Sequence, residues 1–166
     1  NQVFYKPYVS YNFYDGFLLG PTIYNQALFK KKWLFTVSPA YGFKSNEITG
    51  GVGFAYEHLP QNSSVYRYRA GFSASRSHYD DDLAFNKFTP YVNISFKRKS
   101  LRDVGGRSLS ARYVMVDKDI PEGIVNNESY KYNILNFRYG FSEPEIVNDL
   151  RYFADFQYNE GFSKAS

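Results

Sequence analysis

The sequence predicts an all-β fold, an antiparallel up-and-down transmembrane β-barrel, and three observations support this. Large apolar side chains recur at every second residue along most of the 166-residue chain, which is the period of a strand. Aromatic residues make up 20% of the chain, and bulky aromatics favour strands. No apolar run approaches the ~18 residues that a membrane helix needs, so any bilayer contact would have to be made by a closed barrel.

The first four alternating segments carry the clearest pattern. In the stretch KKWLFTVSPAYGF, every second residue from Trp33 onward is large or apolar, and the residues between are mostly small. A turn at Tyr14-Asp15-Gly16 separates the first two segments, and polar residues at 44–46 separate the third from the fourth. These segments are predicted over residues 3–13, 17–23, 33–43 and 47–57.

The rest of the chain continues the alternation with longer polar connections. The turn LPQNSS leads into the fifth segment, and DDD leads into the sixth. The later segments are predicted over residues 66–75, 87–97, 109–115, 129–141 and 150–159, and the eighth alternates more loosely. These lengths approach the ~9–11 residues of a tilted membrane strand. We therefore expect about nine strands, no helix, and a single barrel domain or barrel segment over residues 1–166.

The polar face of the segments indicates which medium the aromatic face meets. A soluble sandwich or barrel fills its interior with large apolar side chains and exposes long charged ones. Here the polar face consists mainly of Gly, Ala, Ser and Thr, which suit a narrow barrel interior. We therefore predict that lipid contacts Trp33, Phe35, Val37, Tyr41, Phe43, Ile48, Val52, Phe54 and Tyr56. The alternative is a soluble all-β domain whose aromatic face is its core.

A few charged residues lie on the small-residue face and are predicted to point into the lumen. They are Glu47, Glu57, Arg67, Arg69 and Arg112, and the arginines are expected to pair with these glutamates and with Asp155. Four prolines on the apolar face fit the strand pattern less well, because each removes a donor from the ladder. Bulges or rim positions are therefore expected at Pro7, Pro21, Pro39 and Pro90.

Charged connections sort to opposite ends if the strands run up and down. Acidic residues gather at one end, at Asp15, Asp80, Asp81, Asp82, Asp117, Asp119 and Glu122. Basic residues gather at the other end, and Lys31, Lys32, Arg98 and Lys99 form the predicted basic rim. Such a rim can hold the phosphates of outer-membrane lipid or lipopolysaccharide. Solvated turns explain the same charges equally well.

Three sequence motifs resemble one family. They are YNFYDGFLLGPTIYN at residues 11–25, P-x-Y-G-F at residues 39–43, and K-S-x-x-I-T-G-G-V-G at residues 44–53. Together they resemble the C-terminal β-barrel region of large outer-membrane proteins of Bacteroidota, whose N-terminal parts resemble aminopeptidase-N-like (gluzincin) metallopeptidases. The similarity is clearest over residues 5–58 and continues to about residue 120.

The resemblance implies a Gram-negative outer-membrane location and a barrel attached to an enzyme domain. It carries no catalytic residue over, because the family's zinc site needs H-E-x-x-H and a later Glu. This chain has only His58 and His78, and neither lies in that pattern. Since about nine strands is an odd number for a bacterial barrel, we expect the chain to be a segment of a larger barrel.

No catalytic residue, metal ligand or cofactor site is predicted within this chain. The strongest candidate group is His78 with Asp80, Asp81 and Asp82, but its spacing lacks the Gly and terminal Glu of a calcium loop, so a solvated acidic turn is expected. The chain has no cysteine, which excludes disulfides and thiolate metal sites. Aromatics interleaved with basic residues can bind single-stranded nucleic acid, but they recur on nearly every segment here, so no nucleic-acid partner is expected.

Three functions remain open at this point. The first is an outer-membrane anchor or scaffold for a partner domain, with lipid, lipopolysaccharide and other envelope proteins as partners. The second is a passive pore or solute channel, which conductance in planar bilayers would separate from the first. The third is a soluble ligand-binding β-barrel, which would stay in solution without detergent.

Overall fold

The computed structural model describes residues 2–26, 31–81, 83–98, 105–119, 121, 130–144, 149–159 and 162–165, and these ranges contain ten strands and no helix. The strands are β1 (Phe4–Asn12), β2 (Gly16–Tyr24), β3 (Trp33–Gly42), β4 (Ile48–His58), β5 (Val65–Asp80), β6 (Leu83–Phe96), β7 (Gly106–Lys118), β8 (Tyr130–Pro144), β9 (Asp149–Asn159) and β10 (Phe162–Ala165). Within the described ranges, no helix is long and apolar enough to cross a membrane.

All ten strands form one sheet in which each strand pairs with the next along the chain. The order runs from β1 to β10, and every neighbouring pair is antiparallel. This confirms the predicted all-β, antiparallel up-and-down fold. The expected nine strands correspond to β1–β9, and β10 adds a four-residue strand. No pairing joins β1 to β10, so the described sheet is open and these two strands are its edges.

The two faces of the sheet differ sharply in side-chain size and exposure. One face, here called the outer face, carries large exposed side chains on every long strand, among them Tyr5, Phe17, Ile48 and Leu150. The opposite, inner face is lined by small residues, and Ala40 on it is only 2% exposed. Phe4 and Phe153 are exceptions, because they are large and exposed but alternate with the outer-face residues.

The described sheet has no core of large apolar side chains. Its buried apolar residues are Leu18, Ala40, Ala55, Val65, Ala84 and Val116, half of which are alanines. The aromatic rings instead contact one another across the outer face. Trp33 lies 4.5 Å from Tyr56 and 5.5 Å from Phe54, and the contacts continue through Phe72 to Phe88. Cross-strand ring pairs of this kind stabilise strand pairing.

Two inner-face glycines allow neighbouring strands to approach closely. A Cβ atom on Gly20 would lie 1.9 Å from the carbonyl oxygen of Pro39, and one on Gly71 would lie 2.2 Å from the carbonyl oxygen of Phe54. Each glycine also lies against a buried alanine, Ala40 or Ala55. Since glycine leaves room for the backbone of a neighbouring strand, these two positions set the close approach of β2 to β3 and of β4 to β5.

The predicted bulges at the four prolines are not found. Pro7 pairs with Pro21, Pro39 with Gly50 and Pro90 with Phe72, and the strand register does not change at any of these pairs. The two register shifts in β5–β6 lie elsewhere, between Val65 and Arg67 and between His78 and Asp80. At Pro21 and Pro90 the pairing to the following strand is interrupted and then resumes in the same register. The missing N–H donor therefore leaves a gap in the ladder rather than an extra residue.

Candidate functional site

A row of polar side chains crosses the inner face from β4 to β9. The strand pairing aligns its members, which are Glu57, Arg69, Asn93, Ser110, Arg138 and Asp155. The row ends in a carboxylate on each side and carries two arginines within it. Neighbouring rows add Arg67 on β5 and Arg112 on β7, so four arginines gather on three strands, β5, β7 and β8.

The two carboxylates of this row are each bound to an arginine. Asp155 is buried and accepts hydrogen bonds from the guanidinium of Arg138 at 2.8 Å and from the amide of Asn136 at 2.5 Å. Glu57 lies 3.8 Å from a guanidinium nitrogen of Arg67. Arg112 donates from Nε to the Asn136 side-chain oxygen at 3.1 Å. Burial of these ions is tolerated because each carboxylate is paired.

The four arginines line a cavity of about 690 Å³ on the inner face. The other lining residues are neutral, mostly Ser, Thr, Asn and Tyr, and no carboxylate lines the cavity. Three polar atoms here are buried without a hydrogen-bond partner among the described residues, namely Nε of Arg67, Nε of Arg69 and Oγ1 of Thr89. The wall of the cavity is therefore positively charged and carries unpaired donors.

A second polar network, here called the tip network, lies at the end of the sheet that carries the β1–β2, β3–β4 and β5–β6 turns. His78 on β5 is 6% exposed, and its Nδ1 lies 2.5 Å from Oδ1 of Asp15, which is 1% exposed. Its Nε2 lies 3.2 Å from Oε2 of Glu47. Asp15 also accepts hydrogen bonds from Ser45 and Asn12. The network joins the β1–β2 turn, the β3–β4 turn and the end of the β5–β6 hairpin.

The tip network corrects the expectation that His78 belongs to a solvated acidic turn. His78 is buried and contacts carboxylates from two other turns, whereas Asp80 and Asp81 are exposed and Asp82 lies outside the described residues. Asp81 instead pairs with Lys44 at 3.3 Å. Both ring nitrogens of His78 face carboxylates, so neither faces a hydroxyl nucleophile, and Ser45 donates to Asp15 instead. The arrangement therefore resembles a structural ion network rather than a catalytic triad.

The described residues contain no group of three or more His, Cys, Asp or Glu side chains arranged to hold a metal ion. In the tip network, the three candidate ligands bond to one another instead of converging on a common point. The ion pairs of the tip network thus stabilise the contact between the turns.

Acidification is expected to loosen the tip network through Glu47, which lies in the turn before β4. A hydrogen bond from Arg76 at 2.9 Å lowers the pKa of Glu47 below 4.5, and the charges of Arg76 and His78 act in the same direction. A carboxyl with a depressed pKa in the folded state stabilises that state above its unfolded pKa, and the contribution disappears as pH falls through the folded value.

The measurement is amide exchange of residues 76–80 between about pH 6 and about pH 3, expressed as protection so that the intrinsic pH effect is removed. Protection should fall with pH in the unmodified chain. In Glu47→Gln the protection at about pH 6 should be lower, because the charge is absent, and it should change less as the pH falls. A pH profile in Glu47→Gln that is the same as that of the unmodified chain would reject the role of Glu47.

Of the five residues predicted to point into the lumen, the three arginines line the cavity and the two glutamates do not. Glu57, Arg67, Arg69 and Arg112 lie on the inner face around it, whereas Glu47 belongs to the tip network. Of the expected ion pairs, Glu57 with Arg67 is present, and Asp155 pairs with Arg138 rather than with the predicted arginines. Arg138 was missed because the alternation over residues 129–141 is loose.

The residues predicted to contact lipid all lie outside the tip network and the cavity. They occupy the outer face of β3 and β4, with Phe43 in the following turn, and are exposed or half-buried. In the predicted basic rim, Lys31 and Lys32 precede β3 and Arg98 follows β6, all at the end opposite the tip network, while Lys99 lies outside the described residues.

Comparison of the chain with protein-family models, curated proteins and solved structures gives no match. The resemblance to the barrel region of gluzincin-type outer-membrane proteins therefore stays a prediction.

Proposed function

We propose that this chain forms part of an outer-membrane β-barrel that anchors, or serves as a scaffold for, a partner domain. The observation that carries the proposal is the placement of side chains by size. Large apolar residues are exposed on the outer face of all nine long strands, including Phe137 on β8, and small residues are buried on the inner face. A soluble protein has the opposite arrangement.

The outer face is difficult to reconcile with water. Soluble monomers rarely expose a contiguous apolar patch of more than a few hundred square ångströms. Here exposed aromatic and aliphatic side chains continue from Tyr5 on β1 to Tyr158 on β9. In a transmembrane barrel such a face contacts hydrocarbon, with Tyr and Trp enriched at the two interfaces. Burial in lipid therefore accounts for apolar surface that no other described part of the chain covers.

The topology supports the same environment. Antiparallel up-and-down strands are the architecture of bacterial outer-membrane barrels. A bilayer requires every backbone donor and acceptor to be satisfied, so an open edge is not tolerated there. We therefore propose that β1 and β10 close the barrel, either with each other or through further strands.

Two elements of the proposal rest on other grounds. The partner domain rests on the resemblance of residues 5–58 to the barrel region of gluzincin-type metallopeptidase proteins. Any peptidase chemistry would belong to that domain. Lipopolysaccharide as a partner rests on the basic rim, where Lys31, Lys32 and Arg98 lie at one end of the strands and provide donors for phosphate.

The proposal is tested by the behaviour of the chain in detergent. We expect the folded chain to be extracted from membranes only by detergent and to migrate differently on gels with and without heating, because a closed barrel resists unfolding by detergent. A chain that stays monomeric in buffer without detergent would contradict the proposal and favour the soluble barrel.

A further inference from the structure

We propose that the inner face binds the phosphate or carboxylate group of a small solute between Arg69 on β5 and Arg112 on β7. This inference goes beyond the proposed anchoring function and does not depend on it, because the cavity lies on the inner face whatever medium the outer face meets. Three features of the cavity support such a ligand, namely its distribution of charge, its unpaired donors and its size.

The four arginines of the cavity are not equivalent. Arg67 and Arg138 each have a carboxylate partner, in Glu57 and Asp155. Arg69 and Arg112 form no ion pair with any described residue. Glu57 is opposite Arg69 in the strand pairing but is bound to Arg67, so neither Arg69 nor Arg112 has a described carboxylate within ion-pair distance. A bound oxyanion would supply a counter-charge, since guanidinium groups bind carboxylates and phosphates with two parallel hydrogen bonds.

The strand register brings Arg69 and Arg112 to either side of β6. Arg69 is opposite Asn93, and Arg112 is opposite Tyr91, two positions away on the same strand. Their strands are separated by two strand spacings, about 9.6 Å, an interval that two long side chains can close on one small anion. Tyr91 and Asn93 lie between them on β6, Ser110 lies next to Asn93 on β7, and all three line the same cavity. They provide neutral donors around the proposed position of the anion.

The unpaired atoms point to the same ligand chemistry. Nε of Arg69 and Oγ1 of Thr89 are buried and have no partner among the described residues. Buried donors without partners are costly, and native structures normally satisfy them. An oxyanion offers several acceptor oxygens and no donor, so it complements this site, whereas a cation would be repelled by the surrounding arginines. The cavity of about 690 Å³ also lies in the range of small-molecule sites.

Binding is tested by equilibrium dialysis of the full chain against radiolabelled inorganic phosphate, in detergent micelles and in buffer. We expect saturable binding of about one phosphate per chain. Arg69→Gln and Arg112→Gln should each weaken it roughly tenfold or more, as expected for the loss of a charged hydrogen-bond donor. Arg69→Lys should bind with intermediate affinity, because it keeps the charge and loses the planar pair of donors.

The matched control is Arg107→Gln. Arg107 lies on β7 with its guanidinium 5.9 Å from the outer-face ring of Phe96, so the substitution changes the net charge equally on the opposite face. It should leave phosphate binding unchanged. Far-UV circular dichroism checks that each variant keeps its strands.

Non-saturable binding, or equal loss in all three glutamine variants, would overturn the proposed site. So would saturable binding that Arg69→Gln and Arg112→Gln leave unchanged. A chain that is soluble in buffer and binds phosphate would reject the membrane proposal and support the anion site, so the two inferences fail separately.

Discussion

Replacing Val92 by lysine is expected to prevent stable insertion of the folded chain into lipid vesicles. Val92 is 44% exposed at the centre of the outer-face band on β6, between Ala70 on β5 and Ala111 on β7. A lysine on the lipid face near the bilayer midplane costs about 2–4 kcal/mol. Exposed substitutions on a soluble protein usually change stability by less than about 0.5 kcal/mol. The size of the effect therefore distinguishes an outer face in lipid from one in water. The measurement is the heat-modifiable fraction after folding into vesicles.

Val3→Lys is the matched control for this substitution. Val3 is the same residue type, is 57% exposed and lies just before β1, at the end of the outer face. The cost of a lysine near a membrane interface falls to about 0–1 kcal/mol, so Val3→Lys should insert almost normally. If the two lysine variants insert equally well, the outer face does not contact lipid at this depth.

The strands were predictable because the alternation has a physical cause that acts locally. Successive side chains of a strand point to opposite faces. The strands of a sheet with one apolar face therefore show apolar residues at every second position of the sequence. The segment predicted over residues 33–43 corresponds to β3 at Trp33–Gly42, and the one over residues 47–57 corresponds to β4 at Ile48–His58. Neighbouring pairing followed from short turns, which favour antiparallel neighbours.

The tip network was not predictable from the same pattern. The fifth segment was expected to end at residue 75, whereas β5 continues past that point to Asp80. The extension carries polar residues on both faces, so alternation gives no signal there. His78 then meets Asp15, which is 63 residues away and in a different turn. Such a contact depends on how far one hairpin extends past its neighbours.

The charge distribution of the cavity was predictable in part. Arg67, Arg69 and Arg112 stand out because they interrupt a face of small residues, which is the inner face of the sheet. The sequence did not show which arginine meets which carboxylate. That choice depends on the register of four strand pairs, and a slip of one residue would send each side chain to the opposite face.

Substituting Gly71 by alanine is expected to destabilise the folded sheet by about 3 kcal/mol or more. The added Cβ would lie 2.2 Å from the Phe54 carbonyl oxygen and 2.9 Å from Cα of Ala55. These are backbone atoms of a paired strand, so they cannot move without breaking the β4–β5 ladder. The free energy of unfolding is measured by urea titration in detergent micelles, followed by the fluorescence of Trp33, which contacts Phe54.

Gly106→Ala separates this steric effect from the general cost of replacing glycine in a strand. An added Cβ at Gly106 would meet nothing within 4 Å. Its substitution should therefore change the free energy of unfolding by no more than about 1 kcal/mol, with stabilisation expected from the reduced freedom of the unfolded chain. If Gly71→Ala is equally mild, the strands have room to separate at this point. The close approach of β4 and β5 would then not require a glycine at position 71.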